Sequence, residues 1–175
     1  MLRAMSDTYD FTSSGTSPTA AQDTDTPKES NVLAKLREEV SKKIERPEIE
    51  IRVPERPSIS VVFSPNVTQA QINAWRRNSG DNTKAGMDAT KFACLVIGNT
   101  CRGILVDDVE AFNEDGAPLT FASPEILEML EVSRPIPDGI KAMYGLDPHI
   151  EATALAIMEA AGYNDSVETV DPTQD

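Results

Sequence analysis

Two cysteines, Cys94 and Cys101, and one histidine, His149, are the side chains in this 175-residue sequence best suited to covalent or metal chemistry. Both thiols sit in KFACLVIGNTCRGILV, residues 91–106, the most apolar stretch of a polar chain. Seven positions along one helix separate their Cα atoms by about 10 Å. A disulfide needs about 7 Å or less, so a bridge within an unbroken helix is excluded. If the helix ends near Gly98 the geometry opens, but no CxxC redox motif is present. Zinc requires two further ligands, and His149 is the single histidine, leaving a carboxylate to complete the set. A nucleophilic thiol needs a basic partner; Arg102 is the one neighbour in sequence, and His149 the one candidate base. The favoured reading is of small apolar residues buried where a helix meets a strand.

The remaining polar residues form no catalytic set. His149 follows Asp147-Pro148 at an expected helix start, where a solvent-facing or capping role fits it best. Asp107/Asp108 and Glu114/Asp115 fall at a strand end and a turn, where carboxylates are usually solvated. The NEDG turn resembles a fragment of a calcium loop but lacks the alternating acidic ligands and the closing Glu. GxxxxGK[ST], GxGxxG and HExxH are all missing. The expectation is therefore a non-enzymatic protein with no catalytic, cofactor-binding or metal-binding residues.

Acids outnumber bases 29 to 16, a formal charge of −13 with a pI near 4.5. That balance disfavours phosphate-backbone binding, which needs clustered Lys and Arg. Trp75 beside Arg76 and Arg77 is the one stretch that suggests base stacking or groove insertion. Trp75, however, continues the apolar face begun by Ile72, so core packing is favoured and no nucleic-acid partner is expected. The opening MLRAMSDTYDFTSSG has no apolar segment of signal-peptide length. No run approaches the roughly 20 apolar residues of a membrane span. A reducing cytoplasm without membrane association is the expected setting.

These residues need elements to hold them. Residues 1–30 are rich in Ser, Thr, Asp and Pro and are expected to be a disordered tail. Residues 31–47 carry Leu33, Leu36, Val40 and Ile44 at helical spacing, with Ser30 or Asn31 as cap. This amphipathic helix either binds a partner or packs at the edge of the domain, the second being favoured. Residues 48–163 form the globular domain. Its period-two runs at Ile49–Val53 and Ile59–Phe63 are strands, and Pro54 and Pro57 demote the first to an edge strand or an extended arm. Thr68 and Gln71 form a capping box for a helix that Gly80 ends. Asp88 caps a helix running through Gly98-Asn99 into a strand. ILVDDVEAFNEDGAPLTFA reads as a hairpin about Asp115-Gly116. Ser123-Pro124, Asp138 and Asp147-Pro148 start three more helices, the last closed by Gly162. Residues 164–175 are an acidic disordered tail; beyond Lys141 there are seven acids and no Lys or Arg. The fold class is α+β, a helix-rich single domain with a small antiparallel sheet or hairpins and disordered ends.

The segment order SISVVFSPNVTQAQINAWRR, DATKFACLVIGNTCRGILVDD, GAPLTFASPEILEMLEV and IKAMYGLDPHIEATALAIMEAAGY resembles the tail assembly chaperones of long-tailed (siphovirus-type) phages that infect actinobacteria. The resemblance spans residues 58–163, and KFACLVIGNTCRGILVDD followed by PLTFASPEILEML carries most of it. It implies a protein that binds the apolar, helix-forming tape measure protein, keeps it soluble and helps recruit tail tube subunits. It also implies action in the host cytoplasm, absence from the mature virion and, in many members, a longer product made by ribosomal frameshifting. Trp75, Phe92, Phe121, Ile126, Leu127, Leu130, Leu155 and Met158 are the candidate core or client-contact residues. The alternatives are a structural virion component, such as a head–tail connector or minor tail protein, and an enzyme using Cys94 or Cys101.

Overall fold

The computed structural model describes residues 28–164. Residues 1–27 and 165–175, where composition places the disordered tails, lie outside them. The described chain divides into two units, one ending at Lys43 and the other beginning at Ile44.

The first unit contributes helix α1, Lys28–Ser41. It runs through Ser30 and Asn31, so neither is the expected cap, and residues 28–30 are helical where a tail was expected. It also stops six residues before the expected end at 47. Two local causes end it. The Ser41 hydroxyl donates to the Glu38 carbonyl at 2.8 Å, and Pro47 disfavours helical geometry at Arg46. Asn66 then holds Arg46 in the second unit: the Arg46 N–H donates to Asn66 Oδ1 at 2.8 Å, and Asn66 Nδ2 donates to the Arg46 carbonyl at 3.1 Å. Helix α1 thus falls in the first unit.

The second unit is α+β, with a four-stranded antiparallel sheet of order β1-β2-β3-β4. Strands β1 (Ile49–Arg52) and β2 (Ile59–Phe63) pair with Ile51 opposite Val61. Strand β1 is at the sheet edge, as the prolines after it require. Two helices, α2 (Gln69–Asn78) and α3 (Ala89–Thr100), intervene before β3 (Cys101–Val106) returns to pair with β2. Val62 faces Gly103 while Phe63 faces Cys101, so Arg102 is the extra residue of a β-bulge.

Strand β4 is only Val109–Glu110. Its hairpin turns on Asp107 and Asp108, at φ 51° and 62°, and not on Asp115-Gly116 as expected. Two successive positive φ values are what a two-residue turn needs, and Asp is among the few residues that tolerate them. The Asp115-Gly116 turn is real but closes a single bridge, Phe112 to Pro118.

Both capping expectations for α2 and α3 hold. Gln71 N–H donates to Thr68 Oγ1 at 3.3 Å and Thr68 N–H donates to Gln71 Oε1 at 2.8 Å. Asp88 Oδ1 accepts from Lys91 N–H at 2.8 Å. Helix α4 is Pro124–Met129, a π-turn spans Pro135–Gly139, α5 is Ile140–Tyr144 and α6 is Asp147–Ala160. Asp138 therefore lies inside the π-turn and pairs with Arg134 at 2.9 Å, where a helix cap was expected.

Helix α3 runs through the middle of this unit, packing on α6, α5, α2 and the π-turn. Its Ala93, Cys94, Val96 and Ile97 join Val61, Phe63 and Ile104 of the sheet in one core with Ile140, Ile150 and Ile157. Gly98 sits where this packing is tightest. A Cβ there would collide with Ile136 Cδ1 and Cγ1, which explains a glycine inside an otherwise continuous helix.

Candidate functional site

The candidate client-contact residues divide between two environments. Trp75, Phe121 and Ile126 are core residues, each no more than 6% exposed. Leu127 and Leu130, on α4 and its C-cap, are half-buried. Phe92, Leu155 and Met158 instead converge on a groove of about 210 Å³ between the start of α3 and the middle of α6. Met87, Ala89, Ala93, Ala154 and Glu151 complete its lining.

Helix periodicity explains the groove. On α6, Ile150, Ala154 and Ile157 point into the core, while Glu151, Leu155 and Met158 form the adjoining stripe. Leu155 is 54% exposed. The opposite wall is built by the N-terminus of α3. Asp88 is its cap, Met87 the residue before the cap, and Phe92 the fourth helical residue. An apolar pair at those positions is a hydrophobic staple. The Thr90 hydroxyl donates to Glu151 Oε1 at 2.8 Å and ties the two walls together.

Met87 was missed by periodicity, which looks only inside helices. The signal available was an apolar residue directly before the Asp88 cap with Phe92 four positions after it.

The thiols lie apart from the groove lining. Cys94 on α3 and Cys101 at the helix–strand junction are both free and buried. Burial pushes each thiol up to about 11. Burial likewise raises the Tyr144 hydroxyl above its ordinary value. His149 is half-buried with its Nδ1 enclosed and without a hydrogen-bond partner, and α6 has no side-chain cap bond, so it is neither the solvent-facing nor the capping side chain expected. The cause is Ile150, fully buried next to it, which draws the first turn of α6 onto the core. Among the described residues no group of three or more His, Cys, Asp or Glu is placed to hold a metal ion. Trp75 is buried while Arg76 bonds Asp81 at 3.2 Å, which splits the aromatic from the cation beside it. Among the described residues no helix is long and apolar enough to cross a membrane.

The groove is smaller than the roughly 300–1,000 Å³ of ordinary small-molecule sites and is almost without polar groups. Its dimensions suit one or two apolar side chains presented by another polypeptide. No protein-family model, no curated protein and no solved structure matches this chain.

Proposed function

We propose that this protein is a tail assembly chaperone of a long-tailed phage, which binds the tape measure protein and keeps it soluble in the host cytoplasm until the tail tube assembles around it. The observation that supports this reading is the α3/α6 groove, where Met87 and Leu155 remain 40% and 54% exposed. Large apolar side chains gathered in one exposed groove mark a surface for protein contact. A client with an apolar helical face offers matching side chains at i, i+3 or i+4, and i+7. The −13 charge of the chain suits a carrier that must hold an aggregation-prone client in solution. In this role the protein needs no catalytic residue, cofactor or metal, engages no nucleic acid, and leaves before the virion is complete.

The test is coexpression with the tape measure protein. A soluble complex is expected, and Leu155→Glu with Met158→Glu should reduce recovery of the client at least about tenfold by removing two apolar contacts. Failure of two folded proteins to associate would overturn the reading. Mass spectrometry of purified virions should lack the chain; finding it there would make it a structural component instead.

A further inference from the structure

We propose that, when no client is bound, the α3/α6 groove receives helix α1 of a second copy of this chain, giving a reciprocal dimer joined by two exchanged arms. Helix α1 leaves its apolar side chains in water: Leu33, Leu36 and Val40 are 64%, 56% and 75% exposed. A 14-residue helix is marginal alone in water and gains most of its stability by laying such a stripe on a surface. The groove is the surface whose dimensions and charge correspond. Leu33 to Val40 spans seven residues, and so does Glu151 to Met158 along α6. Both stretches are therefore about 10 Å long.

Charge points the same way. Residues 28–43 hold five Lys or Arg against three Glu, a net charge of +2 in a chain of net −13. Along α6 the exposed charges are Asp147, Glu151 and Glu159, with no base. Lys91 of α3, Lys141 of α5 and the Arg46 guanidinium at the end of α6 stand against them, but residues 44–164 as a whole hold 18 acids to ten Lys or Arg. Helix α1 is itself neutral, but Lys42 and Lys43 directly after it make the arm basic, so it is attracted to the groove, whereas the acidic remainder of a second copy is repelled. Exchange between two identical chains closes on itself with two-fold symmetry and leaves no third groove open.

The experiment measures the mass of the full chain in solution by light scattering over a concentration series. A dimer at micromolar concentration that loosens with added salt is expected. Leu36→Glu in the arm and Leu155→Glu in the groove should each weaken it about tenfold or more. Both positions are exposed, so circular dichroism should be unchanged in either variant. Mixing the two variants is decisive, because one supplies an intact groove and the other an intact arm. The mixture should associate where each variant alone does not. A monomer at every concentration, a dimer indifferent to both substitutions, or a mixture that stays monomeric overturns the proposal. None of these outcomes depends on whether the tape measure protein is the client.

Discussion

A thiol that ionises only near pH 11 is a poor nucleophile at neutral pH. Cys94 and Cys101 should therefore resist a thiol reagent at pH 7.5 in the folded protein and react at once in denaturant. Their burial also makes stability depend on pH. Unfolding returns each thiol to its ordinary value of 9.0, whereas the fold keeps it protonated to about 11. Between those values the folded state binds more protons, so stability present below pH 9 is lost as the pH rises toward 11. The loss is roughly 2–3 kcal/mol per thiol. Urea unfolding at pH 8 and pH 11 measures it, and the Cys94→Ala, Cys101→Ala double variant should lose less between the two. Gly98 offers a second prediction. Alanine would gain about 1 kcal/mol of helix propensity, but its methyl meets Ile136, and overpacking costs about 1–3 kcal/mol. A lower denaturant midpoint for Gly98→Ala is expected. The cysteine reading was open to the sequence because it lacks the CxxC motif, the further metal ligands and the nearby base that thiol chemistry needs. The His149 environment was not, since it depends on how α6 settles on the core.

The starts of α2 and α3 were the most legible features because their signals are local. Thr68 with Gln71, and Asp88 before Lys91, each name their own hydrogen bond. Asp88→Ala should cost about 1 kcal/mol in thermal unfolding. It should also loosen the Met87–Phe92 wall of the groove, which a parallel fall in client recovery would report. Element ends and turns were less legible because distant residues set them. Helix α1 stops before its apolar period does, and Asn66, twenty residues on, takes the Arg46 backbone that a longer helix would have used. The hairpin turns at two aspartates, a pair that reads as solvated charge until the strand register requires a turn there. Asp138 looked like a cap, yet Arg134 takes its carboxylate.

For the molecule as a whole, the α+β class and the edge position of β1 followed from pattern, while the site was legible only in part. Phe92, Leu155 and Met158 could be chosen as apolar, but nothing in the sequence separated them from Trp75 or Ile126, which went to the core. Which apolar residues stay outside is decided by how α3 crosses α6. The division at Lys43 and Ile44 has a consequence for handling the protein. Lys42 and Lys43 are exposed, so brief trypsin treatment should cut there first and release a resistant fragment beginning at Ile44. Association with a second copy should slow that cut, and Leu36→Glu should restore it.

The clasp of Asn66 on Arg46 also has a mechanical meaning. Asn66 grips both the N–H and the carbonyl of Arg46, and the Arg46 guanidinium donates to the Ala160 carbonyl at the end of α6 at 3.1 Å. A pull on the N-terminal segment is grounded at that point, before it reaches the edge strand. Force on the chain ahead of Arg46 is thus borne by three hydrogen bonds before it reaches the β1–β2 pairing.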